Sequence, residues 1–202
     1  MKYTIPNQLT LIRIFLTPVF YFLIITNDPY YRFIATIVYF LASFTDWYDG
    51  FVARRYHMTS RWGQFMDPLA DKLLVSTALF VFARMHYIFW WMVITVLVRD
   101  FIVTGLRIFA LYIGKPIITS LFAKWKTFIQ MAFTFLLLIY INVPRLPPLE
   151  LNRVSQPWYL WTTITMALVT LLTVISGLQY LIVNWSHASE LARRFALLLR
   201  RK

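Results

Sequence analysis

The sequence predicts an all-α integral membrane protein of six transmembrane helices with both termini in the cytoplasm. Three observations carry that prediction. Of the 202 residues, 60% are hydrophobic and only 14% charged, outside the usual balance of soluble domains. The apolar residues gather into six segments, each near the roughly 20 helical residues that cross a hydrocarbon core of about 30 Å. When those segments are threaded back and forth, the basic residues fall mostly on one side of the bilayer, which orients the chain.

The segments run over 8–26, 32–55, 64–84, 87–112, 124–142 and 158–185. Several exceed a minimal span, which implies tilt or extension beyond the lipid. The first follows Lys2, as a secretory leader would, but Asn7 and Arg13 interrupt it and no small-x-small cleavage site follows, so it reads as retained. Asn27-Asp28-Pro29 closes it, Gly114 and Pro116 end the fourth, and Pro144, Pro147, Pro148 and Pro157 fill the loop after the fifth. With the N-terminus inside, only Arg32, Arg84, Arg145 and Arg153 fall on the outer side. Tryptophans, which favour membrane interfaces, agree: Trp90, Trp91, Trp158 and Trp161 sit at outer ends, Trp47, Trp62, Trp125 and Trp185 at inner ones.

The chain reads as one domain over 1–202. Residues 1–6 form a surface segment, and residues 187–202 a tail in which Arg193, Arg194, Arg200, Arg201 and Lys202 flank apolar residues, an amphipathic helix for anionic lipid. The net charge of +12 is then a membrane-surface charge, and no nucleic-acid partner is expected. The absence of cysteine excludes disulfides and thiolate metal sites, leaving oxygen or imidazole ligands. His57, His86 and His187 lie at span ends or in loops without ligand spacing and read as solvated.

The chemistry concentrates in one stretch. Of eight acidic residues, four (Asp46, Asp49, Asp67 and Asp71) crowd the cytoplasmic ends of the second and third segments. Ionisable groups there are costly and need a partner or a water-filled cavity. Spacings of three and four put each pair on one helix face, so the two pairs can converge. Four clustered carboxylates require a cation, and hard oxygen donors select Mg²⁺, Mn²⁺ or Ca²⁺. Gly50, Ala53 and Gly63 keep the neighbouring surface small, for a ligand or for helix packing. Arg54 has the planar fork of donors that suits a phosphate. Four aspartates that only snorkel, or pair with Arg54 and Lys72, are the competing structural reading.

Written out, Asp46-x2-Asp49-Gly50-x2-Ala53-Arg54-x8-Gly63-x3-Asp67-x3-Asp71 resembles, at every fixed position, the signature of the CDP-alcohol phosphotransferase family. The resemblance implies a six-helix membrane fold, a homodimer, and a cytoplasm-facing cavity for a CDP-linked donor and two divalent cations, Mg²⁺ or Mn²⁺. It assigns Asp46, Asp49, Asp67 and Asp71 to the metals, Gly50, Ala53, Arg54 and Gly63 to the cytidine diphosphate, and Asp71 to the general base.

Further segments resemble the bacterial phosphatidylglycerophosphate synthases of that family: Ile5-Pro6-Asn7-Gln8-Leu9-Thr10 with Arg13, Met66-Asp67-Pro68-Leu69-Ala70-Asp71-Lys72, and Lys124-Trp125-Lys126-Thr127 with Gln130. That likeness implies CDP-diacylglycerol as donor and glycerol 3-phosphate as acceptor, in the inner membrane of a bacterium among its lipids. Arg99, Arg107, Lys124 and Lys126 are the candidates for the acceptor phosphate, and Asn7, Thr10 and Thr127 are further candidate substrate contacts. Arg107, inside an apolar run, calls for a ligand or carboxylate partner. Arg99 reads equally as an interhelical ion pair, and Lys124 and Lys126 as positive-inside anchors. Asp100 stands where that subfamily more often has glutamate. Rival readings change the acceptor to serine, inositol phosphate or phosphatidylglycerol, or make the acids the ion path of a cation channel or transporter.

Overall fold

The structure is a computed structural model describing residues 5–26, 28–56, 61–112, 121–142 and 157–183; the side chains of 5–7, 46–56, 61–65, 68, 111–112, 121–124 and 157–159 lie outside that description. Among the described residues every regular element is helical: α1 (Ile5–Ile24), α2 (Pro29–Tyr56), α3 (Arg61–Arg84), α4 (Trp90–Tyr112), α5 (Leu121–Ile141) and α6 (Pro157–Val183). The tail 187–202, with His187, and the loop carrying His57 lie outside the described residues.

The starts and stops have local causes. The carbonyl oxygen of Thr26, past the end of α1, accepts from Arg32 Nε at 3.2 Å, a cation placed where the helix dipole is negative. Asp28 then caps α2: its Oδ1 accepts the Tyr30 N–H at 2.8 Å, with Pro29 at the first helical position. That cap starts α2 at Pro29, ahead of the predicted residue 32. Likewise α1 begins at Ile5, ahead of the predicted residue 8, so the last two residues of the segment 1–6 are helical and the rest lies outside the described residues.

Between α3 and α4, His86 takes φ 65° and is exposed. Its N–H bonds the Ala83 carbonyl at 3.0 Å and the Tyr87 N–H bonds the Phe82 carbonyl at 2.9 Å, the two crossing bonds of a Schellman cap. This closure uses Tyr87, which delays α4 to Trp90 from the predicted 87. The left-handed conformation costs a side chain about 1–2 kcal/mol. His86→Gly is therefore expected to raise stability by about 1 kcal/mol, read as a higher melting temperature of the purified protein in detergent with unchanged turnover.

α1 packs on α2 and α3, α4 on α3 and α6, and α5 on α6, with lesser contacts of α5 to α2 and α3. The main core cluster runs through Phe20, Tyr39, Leu79, Phe82, Phe133, Leu137 and Met166, and a smaller one joins Val103 and Leu106 of α4 to Tyr180 of α6. Trp161 packs into this core, edge-on to Phe133 and Tyr140 with centroids 6.1 and 5.7 Å away, whereas Trp90, Trp91 and Trp125 are exposed as interface residues would be.

Polarity is inverted relative to a water-soluble bundle. On α6 one stripe, Leu160, Ile164, Leu168, Leu171, Ile175, Leu178 and Ile182, faces outward, while Thr162, Thr173 and Ser176 are fully buried. Phe15 and Phe22 of α1, Phe33 and Phe40 of α2, Ile94 and Phe101 of α4, and Phe128 and Ile139 of α5 are outward as well. Inside lie Thr10, Arg13, Asp100, Lys126, Gln130 and Thr134. The buried hydroxyls of Thr17, Thr134, Thr170 and Thr173 donate to carbonyls one turn back, which satisfies them without water. An apolar exterior of this extent exceeds what soluble monomers expose. Among the described residues one helix, Leu160–Val183, is by itself long and apolar enough to cross a membrane; α4 carries Arg99, Asp100 and Arg107 in its length.

Candidate active site

The acid-bearing stretch falls on the hairpin of α2 and α3. Asp49 lies seven residues before the end of α2 and Asp67 six after the start of α3, about 10 Å and 9 Å along their helices at 1.5 Å per residue. The backbone therefore carries both carboxylate pairs within about three turns of the same connection. The side chains of Asp46, Asp49, Ala53 and Arg54, and the surroundings of Gly50 and Gly63, lie outside the described residues.

Asp67 and Asp71 are described, one turn apart on α3. Asp67 is half-buried and its Oδ1 accepts the hydroxyl of Thr10 at 2.5 Å. Thr10 is fully buried on α1 and reaches across 57 residues of sequence to make this bond. Arg13, one turn further along α1 and also fully buried, donates from Nε to the Ala42 carbonyl of α2 at 3.4 Å, and its charge acts on Asp67. Asp67 is thus tied to α1 through one oxygen. Asp71 is likewise partly exposed, its side chain 23% accessible, and its Oδ2 lies 3.4 Å from Lys72 Nζ.

Lys72 leads to a second cluster. Its Nζ is 3.9 Å from Asp100 Oδ2 on α4. Asp100 is buried and receives three further charged donor bonds: from Lys126 Nζ of α5 to both its oxygens, at 2.6 and 2.7 Å, and from Arg99 Nη1 at 3.1 Å. Arg99 extends through Nη2 to Ser176 Oγ of α6 at 2.9 Å. One continuous polar path therefore runs Asp71, Lys72, Asp100, Lys126 and Arg99 to Ser176, crossing α3, α4, α5 and α6. Buried charges of this kind persist only when paired and hydrogen-bonded.

Of the sequence-predicted acceptor cations, the structure brings Arg99 and Lys126 together around Asp100. Arg107 does not join them: it is exposed on α4, with its charge acting on Tyr180 of α6. Lys124 and Asn7 have their side chains outside the described residues, and Thr127 is half-buried beside Lys126. Sequence reasoning missed three participants. Asp100 was noted only as a variant beside Arg99, although an acid inside an apolar helix is itself a signal. Ser176 and Gly177 were lost in the apolar run of α6. Their adjacency, two small residues within that run, was the available sign.

Gly177 has a definite role. A Cβ built there would lie 2.9 Å from Arg99 Cγ and 3.5 Å from its Nε, so the missing side chain is what lets the arginine stem cross α6. Cγ is mid-stem and cannot yield without moving the guanidinium. Gly177→Ala is expected to pull Arg99 from Ser176 and Asp100 and to raise the acceptor KM several-fold, with the donor KM unchanged in steady-state assays.

The described donors suit a hard divalent cation: two carboxylates on one helix face, one steadied by Thr10, with a cation kept beside the other. Among the described residues no three carboxylates or imidazoles gather, since Asp46 and Asp49 contribute no described side chain. The fit is one of donor chemistry and spacing.

A sequence model of CDP-alcohol phosphatidyltransferases matches residues 3–175. The CDP-diacylglycerol–glycerol-3-phosphate 3-phosphatidyltransferase of Bacillus subtilis (strain 168) is 34% identical over 195 residues, 91% of this chain and 96% of that protein. The enzyme of the same name from Haemophilus influenzae is 34% identical over 187 residues, 89% of this chain and all of that protein. That from Escherichia coli (strain K12) is 35% identical over 190 residues, 90% and 94% of the two chains. With the signature from Asp46 to Asp71 in agreement, the chain belongs to the CDP-alcohol phosphatidyltransferase family.

Proposed function

We propose that this chain transfers the phosphatidyl group of CDP-diacylglycerol to the 1-hydroxyl of glycerol 3-phosphate, giving phosphatidylglycerophosphate and CMP. The observation that carries the reading is the junction at Lys72, 3.4 Å from Asp71 and 3.9 Å from Asp100. It sets a carboxylate of the family signature beside the cations gathered on the buried Asp100. The relatives' named activity, shared over about nine-tenths of the chain, supplies the donor and acceptor.

In this reading the acceptor phosphate lies against Arg99 and Lys126, with Lys124 and Arg107 as outer contributors and Asn7 and Thr127 as neighbouring polar contacts. Gly50, Ala53, Arg54 and Gly63 line the cytidine diphosphate. Asp46, Asp49, Asp67 and Asp71 would hold two Mg²⁺ or Mn²⁺ ions, which when bound neutralise charge on the diphosphate and improve CMP as a leaving group. Thr10 keeps Asp67 aimed, and Asp71, whose oxygens accept from no buried hydroxyl among the described residues, takes the acceptor's hydroxyl proton, the role the family signature assigns to it. The acceptor oxygen bonds to the phosphatidyl phosphorus, the phosphorus–oxygen bond to CMP breaks, and CMP departs with that electron pair.

The apolar outward faces of α1 to α6 and the buried polar residues between them support six membrane-crossing helices. The distribution of Lys and Arg supports both termini, and the site, on the cytoplasmic side of a bacterial inner membrane. Diacylglycerol chains would leave sideways between the helices into lipid, and a homodimer is the expected assembly. Purified protein incubated with CDP-diacylglycerol, Mg²⁺ and an acceptor panel tests the function: CMP release with glycerol 3-phosphate is expected, and release only with serine, inositol phosphate or phosphatidylglycerol would replace the acceptor.

A further inference from the structure

We propose that Asp100 is the positioning residue of the acceptor site, an internal counterion that presets the cationic groups before substrate arrives. The inference rests on the acceptor reading above and goes beyond it by giving a role to an anion in a site meant for an anion.

The geometry carries it. Asp100 is buried, and both its oxygens are occupied by Lys126 Nζ, fully buried, at 2.7 and 2.6 Å. Arg99 Nη1 approaches the same Oδ1 at 3.1 Å, and Lys72 Nζ the same Oδ2 at 3.9 Å. One carboxylate thereby fixes head groups from three helices at one point. Three cations set against Asp100 and Asp71 leave the cluster positive, so it retains attraction for an incoming dianion. Without Asp100, the fully buried Lys126 would be a stranded charge, and the three flexible side chains would have to be ordered by the acceptor itself. Ordering them in advance removes that entropic cost from binding. Ser176 does the same for the other end of Arg99.

The role predicts a split in the kinetics. Asp100→Asn, in full-length protein in detergent with CDP-diacylglycerol and Mg²⁺, is expected to raise the KM for glycerol 3-phosphate at least tenfold while the KM for CDP-diacylglycerol stays within about twofold. Asp100→Glu, with the charge kept, is expected to recover most of the acceptor affinity. A purely structural residue would move both constants and the melting temperature together; that result, an unchanged acceptor KM, or no recovery by glutamate overturns the proposal.

If Asp100→Asn does not fold, the pair Asp100→Asn with Lys126→Gln strands neither charge. Its acceptor KM should match that of Lys126→Gln alone within about threefold, because Asp100 acts chiefly through Lys126; effects that multiply independently overturn the role. Wild-type protein that releases no CMP with glycerol 3-phosphate overturns the function reading instead, so the two failures are distinguishable.

Discussion

Asp71→Asn is expected to reduce kcat by about 10³-fold while leaving binding of the cytidine donor largely intact. Asparagine keeps the shape and one oxygen but cannot accept a proton, and general-base removal typically costs about 10² to 10⁴ in rate. Of the two signature aspartates on α3, Asp67 has an oxygen engaged by the buried Thr10, whereas Asp71 has its Oδ2 3.4 Å from Lys72 Nζ. A loss confined to kcat, read by initial CMP release together with calorimetric titration of CDP in the presence of Mg²⁺, fits a base. Equal loss of nucleotide affinity would assign Asp71 to holding the donor and not to proton transfer.

The second large effect is expected at Lys126. Replacing it by methionine keeps the aliphatic stem and deletes the charge that Asp100 grips with both oxygens. A hydrogen bond to a charged group is worth about 1.5–3 kcal/mol, which corresponds to a rise of about 10- to 150-fold in the acceptor KM. Breaking a buried pair also leaves Asp100 uncompensated, at a cost of about 3–5 kcal/mol in stability. The melting temperature should therefore fall, and Lys126→Met with Asp100→Leu should recover stability without recovering acceptor affinity. If the acceptor carried no phosphate, Lys126→Met would leave its KM unchanged, which an assay with zwitterionic serine in place of glycerol 3-phosphate checks directly.

The helices of the described residues and their bounds were legible in the sequence because a run of apolar residues between polar loops sets length directly. Every bound agrees within three residues, and two of the shifts have local explanations. Asp28 stands in a break of the sequence, yet its carboxylate caps the next helix. The apolar run puts Tyr87 in α4, yet the left-handed turn at His86 consumes it. Position near a helix end predicts an interfacial Trp161, while its ring packs inward on Phe133 and Tyr140.

The site divides in the same manner. The aspartate signature is contiguous over two helices and readable as spacing, and Thr10 was flagged with its neighbours although not as a partner of Asp67. The pairing of Asp100 with Lys126 spans 26 residues and two helices. Spacing along one helix cannot reveal it, because it depends on how α4 and α5 face each other. Ser176 and Gly177 were illegible for the same reason: their part is defined by an arginine arriving from α4.

The inverted polarity bears on how this molecule tolerates change. In lipid, the aliphatic stripe of α6 gains little from leaving its surroundings, so helices are held by close contact and by polar bonds between them. The path from Asp71 to Ser176 links four of the six helices with such bonds. In the proposed reading, the groups that select the acceptor are then also fasteners of the assembly. A change of acceptor preference by substitution here would loosen the bundle unless a second replacement on a neighbouring helix accompanied it, so new specificities should arise in pairs of linked substitutions.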